Sequence, residues 1–207
     1  MRAICSATDE SPWSTQSASA VTLCSGAVAL PYSENFDSYT GTTYSDANGI
    51  APACWTTYST NTTYGNPHII SSGSYFYAQS GNSMVFTCGS AGADAYAALP
   101  EFNQPLNTLH LNFWRAMEST TNGSTLTVGY VTNLGNIASS FVSVATIPSV
   151  SSSAGDTISV DFNAAGVPAN GYICFHWNYS SSYYSCCIDN VSVSAGEIGR
   201  ASCRERV

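Results

Sequence analysis

The 207-residue chain contains no lysine, and its five basic residues are all arginine: Arg2, Arg115, Arg200, Arg204 and Arg206. Charged residues of either sign make up 9% of it, and the formal net charge is −8. A surface without a basic patch is a poor partner for phosphate backbones and for anionic lipid, which excludes nucleic acid as a partner. No apolar run approaches the roughly 20 residues that a membrane-spanning helix needs, which excludes membrane insertion by a helix. Met1-Arg2-Ala3-Ile4-Cys5 runs straight into Ser, Thr, Asp and Glu, so no apolar signal core follows Met1. A secreted type of composition without such a core implies that Met1 is not the natural start. No segment carries a helical apolar period. Motifs of the GxSxG or HExxH type are missing, and so is the paired CxxC spacing of a zinc site.

What is present is 44% hydrophobic and 12% aromatic residues, with Ser, Thr, Asn, Gly and Tyr in the positions that charges usually fill. Eight cysteines in a chain long enough to bury a real core point to disulfides and an oxidising, extracellular compartment. Connectivity stays open: Cys174 can sit beside Cys186 or Cys187 on neighbouring strands, Cys54 can pair with Cys88, and the alternative is that several are free and buried.

The main domain is organised around Leu30-Pro31-Tyr32-Ser33-Glu34-Asn35-Phe36-Asp37, read as an entry strand, and Ile188-Asp189-Asn190-Val191-Ser192-Val193, read as the closing strand. Pro31 suits a strand start, because it cannot donate to a ladder, and Phe36 is the expected core anchor. Between them apolar residues alternate with period two. Leu109, Leu111 and Phe113 oppose His110, Asn112 and Trp114; Leu126, Val128 and Tyr130 share a face; Ile158, Val160 and Phe162 share another; Ile173, Phe175 and Trp177 oppose Tyr172, Cys174 and His176. Gly- and Ser-rich turns separate these runs, so the expected fold is all-β, a jelly-roll β-sandwich. Three units are expected. Residues 1–26 form a flanking hairpin, with strands at Arg2–Cys5 and Ser19–Leu23 and a polar turn at Asp9–Ser14. Residues 27–195 are the sandwich. Residues 196–207, charge-dense and carrying three of the five arginines, read as a non-native tail of the adapter read-through kind.

Two resemblances add to this reading. The N-terminal "RAIC…SPWS…VTL" is similar to the last hairpin of a fibronectin type III domain. The ordered set "LPYSENFDSY", "CWTTY", "LNTLHLNFWRAM", "GYICFHW" and "IDNVSVS" resembles the MAM-like, choice-of-anchor J and cleaved-adhesin group of jelly-roll modules from secreted and surface proteins of Bacteroidota. The resemblance covers residues 30–195. It implies extracellular adhesion or ligand binding within a longer multidomain chain, and no catalysis. The vicinal pair Cys186-Cys187 lies outside the pattern.

The resemblance also implies a structural calcium ion where first and last strands meet. Hard oxygen donors stand in the matching motifs at Glu34, Asp37 and Asp189, with Asp46 available from a loop. The alternative is edge carboxylates satisfied by backbone N–H groups. For ligand binding, Trp114, Tyr183 and Tyr184, with His110 and His176, fall opposite the core residues or in loops. Exposed rings there would stack on sugar rings, giving a face that binds a surface or host glycan; the alternative is ordinary packing, favoured for Trp55 and Trp177 among their apolar neighbours. A catalytic set from the scattered His68, His110 and His176, or a glycosidase pair of Glu34 with Glu101 or Asp189, has no supporting motif. The sequons at Asn61, Asn122, Asn178 and Asn190 are expected by chance in so Ser- and Thr-rich a chain. The function expected is a non-catalytic adhesion or ligand-binding module, with a carbohydrate-binding accessory domain and a structural spacer as alternatives.

Overall fold

The computed structural model describes residues 4–6, 9–10, 24, 26–43, 49–61, 63–73, 76–87, 91–117, 123–148, 152–180 and 185–196. Strands β1 (Ile4–Ser6) and β2 (Asp9–Glu10) form a separate two-stranded ladder. The sandwich follows with β3 (Tyr32–Glu34), β4 (Thr56–Ser59), β5 (His68–Ser71), β6 (Asn82–Phe86), β7 (Ala93–Ala98), β8 (Leu109–Met117), β9 (Thr125–Val131), β10 (Val142–Ile147), β11 (Ser152–Asp161), β12 (Tyr172–Tyr179) and β13 (Cys186–Ala195). One sheet has the order β10-β9-β12-β7-β4, the other β11-β8-β13-β6-β5 with β3 also on β13, and these strands pair antiparallel throughout. Consecutive strands repeatedly cross from one sheet to the other, which is the jelly-roll sandwich expected from the alternation.

The alternating sets face as their spacing dictates. Leu109, Leu111, Phe113, Leu126, Val128, Tyr130, Val160, Phe162, Ile173, Phe175 and Trp177 all enter the buried layer between the sheets. Each such side chain stabilises the fold by about 1.5–3 kcal/mol relative to exposure. Phe36 is fully buried and meets Trp55 edge-on at 5.9 Å, and Trp55 stacks on Phe175.

Near the N-terminus β1 pairs with β2. β2 begins at Asp9, inside the segment read as a turn, while the strand expected at Ser19–Leu23 lies outside the described residues, as do residues 197–207. Among the described residues one short α-helix, α1 (Ile137–Ser140), is present. At four residues it is too short to leave a period in the sequence.

The closing strand is the long spine of its sheet. One edge of β13 lies along β8; the other is shared end to end, with Cys186–Ile188 on β6 and Val191–Val193 on β3. Opposite β8 the register slips between Asp189 and Ser192, a bulge, with Asn190 at φ 47°. The extra residue reverses the side-chain phase, so Cys186 and Ile188 before the bulge and Val191 and Val193 after it all reach the core. Asn is one of the few residues that tolerates the left-handed region at modest cost.

Candidate functional site

The bulge places Asp189 in the gap between β3 and β6, fully buried. Its carboxylate accepts three backbone N–H groups: Gln79 at 2.9 Å and Ser80 at 3.1 Å on Oδ2, and Asn190 at 2.6 Å on Oδ1. Asp37 arrives at the same segment. It accepts the Asn82 N–H at 2.7 Å and the Ser80 hydroxyl at 3.4 Å. Gly81 sits beneath it at φ +54°, where a Cβ would fall 2.0 Å from Asp37 Oδ1. Burial pushes the Asp189 pKa up, opposed by the backbone donors and helped by the Asp37 charge. Glu34 does not join them in the way expected. Its carboxylate turns back on its own segment, accepting the Phe36 N–H at 2.8 Å and the Tyr39 hydroxyl at 3.3 Å. The convergent pair is therefore Asp37 with Asp189, because Glu34 is spent on the turn that sets Phe36 at φ 61°. In this arrangement both carboxylates are taken up by N–H and O–H donors, which is the edge-carboxylate alternative, and two carboxylates are fewer than the roughly six to eight oxygens that a calcium ion takes. Asp46 lies outside the described residues, and among those described no group of three or more His, Cys, Asp or Glu side chains is placed to hold a metal.

On the outer face of the six-stranded sheet, His110 Nδ1 lies 2.5 Å from Asp161 Oδ1 and Nε2 lies 3.2 Å from Asn112 Oδ1. The Ser159 hydroxyl donates to the same Asn112 oxygen. That hydroxyl is committed to an amide, so the row is a cross-strand polar ladder rather than a nucleophile beside its base. Trp114, expected as an open platform, is 4% exposed. The Gly155 turn covers it so closely that a Cβ there would meet the indole at 2.2 Å. The bulge that puts Gly155 over the ring lies in the β11 register, and local alternation does not reveal it.

His176 lies on the outer face of the five-stranded sheet. It stacks on Tyr96 at 4.4 Å, tilts against Phe141 at 5.0 Å, and places Nε2 2.8 Å from Asp94 Oδ1. Asn178 donates to the same Asp94 oxygen. Tyr58, 42% exposed, extends the aromatic row beyond Tyr96. Tyr58, Tyr96 and Asp94 carry no signal of their own in the sequence; cross-strand register aligns them with His176. Tyr183 and Tyr184 lie outside the described residues.

The remaining candidates are structural. His68 is buried with its nitrogens on the Asn66 and Thr43 carbonyls. Cys54 bonds Cys24, not Cys88, which lies outside the described residues. Cys24 belongs to the segment assigned to the flanking hairpin, so the sandwich is covalently tied to it. The pairing of Cys174 with Cys186 or Cys187 does not occur. β12 and β13 belong to different sheets, and Cys174 packs with Tyr96 and Ala98 outside one while Cys186 faces the interior. The Cys187 sulfur, on the opposite face to Cys186, accepts the Tyr77 N–H. Burial pushes the Cys174 and Cys186 thiols well up, which removes them as nucleophiles at neutral pH.

No protein-family model and no curated protein matches the chain. Solved structures do. The K2 cleaved adhesin domain of Lys-gingipain superposes with a TM-score of 0.58 at 18% identity, over 79% of this chain and 99% of that one. The K1 domain from Porphyromonas gingivalis W83 gives 0.53 at 20% identity over 80% and 98%. The K3 domain from the same organism gives 0.51 at 21% identity over 80% and 98%. At these identities the likeness is one of fold: the chain is an all-β jelly-roll sandwich of the form seen in cleaved adhesin domains.

Proposed function

We propose that the chain is a non-catalytic extracellular binding module, working in adhesion within a longer secreted or surface protein. The observation that carries this reading is the shared fold with the Lys-gingipain cleaved adhesin domains over nearly their whole length. The Cys24–Cys54 disulfide supports an oxidising compartment. A structural calcium ion belongs to the same reading, supported by the convergence of Asp37 and Asp189 on the Ser80 segment. In that role the ion would cross-link the entry and closing strands, and these two carboxylates would supply hard oxygen donors. The partner is a surface glycan or protein. The carbohydrate reading is favoured specifically by the exposed Tyr58 ring, which extends the aromatic row of the five-stranded sheet with the Asp94 and Asn178 polar pair on the same face. Surface plasmon resonance of the immobilised chain against host-cell glycans and extracellular-matrix proteins tests the proposal. Saturable binding to one of them is expected. Silence across both sets would leave the module as a spacer.

A further inference from the structure

Resting on the carbohydrate-binding reading, though at a place apart from the Tyr58 face, we infer that an uncharged oligosaccharide binds across one end of the sandwich, in a cleft centred on Glu101. A cleft of about 530 Å³ opens there where β4 and β12 begin and β7 and β9 end. Pro52, Trp55, Pro100, Leu134 and Tyr172 line it, with the Cys24–Cys54 bridge as one wall. A second cleft of about 250 Å³ is bordered by Asn103, Gln104 and Asn170. Glu101 lines both, and the two meet again at consecutive residues, Gly171 and Tyr172. One apolar half and one amide-rich half thus share a carboxylate at their junction.

The floor is held in place before any ligand arrives. The Glu101 carbonyl accepts the Val28 N–H at 2.7 Å, and the Asn103 N–H returns to the Val28 carbonyl at 3.0 Å. Between them Phe102 is buried, edge-on to Tyr32 at 5.4 Å. The Trp55 indole donates to the Tyr32 hydroxyl at 2.8 Å. Gly171 stands at φ +146°, where a Cβ would press on the Val131 carbonyl at 3.0 Å. With its backbone pinned on both sides, Glu101 keeps an exposed side chain. Preorganised clefts with a few convergent polar groups on an apolar wall are the usual form of a small-ligand site.

The lining selects the ligand. Among the described residues no Arg or His lines either cleft, and the whole chain carries −8, so an anionic ligand would meet Glu101 with no cation beside it in the described lining. Glu101 only accepts hydrogen bonds, while Asn103, Gln104 and Asn170 both donate and accept. Neutral hydroxyl groups satisfy both kinds, and the C–H face of a sugar ring suits Tyr172 and the prolines. A basic peptide would find one counter-charge among three neutral amides.

The test is calorimetric titration of the intact chain with neutral β-linked gluco-, galacto-, manno- and xylo-oligosaccharides, with sulfated and sialylated sets and an Arg-containing peptide set alongside. Backbone-amide NMR shifts map the contact. A neutral sugar is expected to bind, to shift residues 101–104 and 170–172, and to bind about tenfold more weakly to Glu101→Gln. Asn170→Ala, at an exposed position, should weaken it as well, with the melting temperature of both variants unchanged. A glycan footprint centred on Tyr58 and His176 would overturn this site and leave the carbohydrate reading intact. Binding of only the peptides, or of only the acidic sugars, would overturn the ligand class. No glycan binding at all would overturn both this inference and the carbohydrate reading on which it rests.

Discussion

Arg115 is a buried cation in a protein interior, a setting unusual for its type. It is 2% exposed, with Nε 2.7 Å and Nη2 3.3 Å from the two Asp156 oxygens, and Nη1 donates to the Pro148 carbonyl. An isolated guanidinium could not be held there, but a forked pair with a third acceptor satisfies it. Arg115→Ala is expected to cost roughly 3 kcal/mol in urea denaturation, since it removes the donor and opens a void. Asp156→Asn should cost less, because that side chain is 43% exposed and water can replace part of the pair. Asp189 makes a different prediction. Its folded pKa is raised above the ordinary 3.8, chiefly by burial. The folded state then holds the proton more tightly than the unfolded chain, and stability falls as pH rises from about 4 through the folded pKa. In metal-free buffer, unfolding free energy measured across that window should decline for the native chain. Asp189→Asn should flatten the slope, and an unchanged slope would place the titration elsewhere.

Among the elements, the β13 bulge and the Cys24–Cys54 bridge carry the most consequence. The bulge keeps both halves of one ten-residue strand packed inward while freeing Asp189 to cap the segment that leads into β6. The bridge closes a loop with a sequence separation of 30 that contains β3, Phe36 and the Gly41–Ile50 region. Loop-closure entropy for that length gives a stabilisation of about 3–4 kcal/mol. Cys24→Ser with Cys54→Ser should lower the denaturation midpoint by a corresponding amount, and a reducing agent should reproduce the loss in the native chain. If neither moves the midpoint, the bridge does not constrain the unfolded chain.

For the whole molecule, the entry and closing strands lie side by side, with Val191 opposite Glu34 and Val193 opposite Tyr32. A cation held by Asp37 and Asp189 would fasten both strands to the Ser80 segment. An ion that binds only the folded state stabilises it by about 2.7 kcal/mol at a hundredfold excess over its dissociation constant. The melting temperature is therefore expected to fall with chelator and to recover with added calcium. Asp189→Asn should abolish the difference, while Glu34→Gln should keep it, since Glu34 serves its own turn. Identical melting curves in chelator and calcium would leave both carboxylates as hydrogen-bonded caps.

The sequence by itself determined the sandwich. Period-two alternation is a local property of the chain, and with it the inward faces of β8, β9, β11 and β12 and the burial of Phe36 and Trp177 follow from burial of apolar surface alone. What needed the tertiary structure was everything set by register and by contacts distant in the chain. Trp114 alternates outward as expected, yet a turn forty-one residues later closes over it. The Asn190 bulge, the choice of Cys24 as the partner of Cys54, and the placing of Cys174 and Cys186 on different sheets depend on which strands meet. The Glu101 cleft is assembled from loops at one end of the sandwich, none of which has a pattern of its own. A loop's role is fixed by the strands that carry its ends, and strand order is a property of the packed whole.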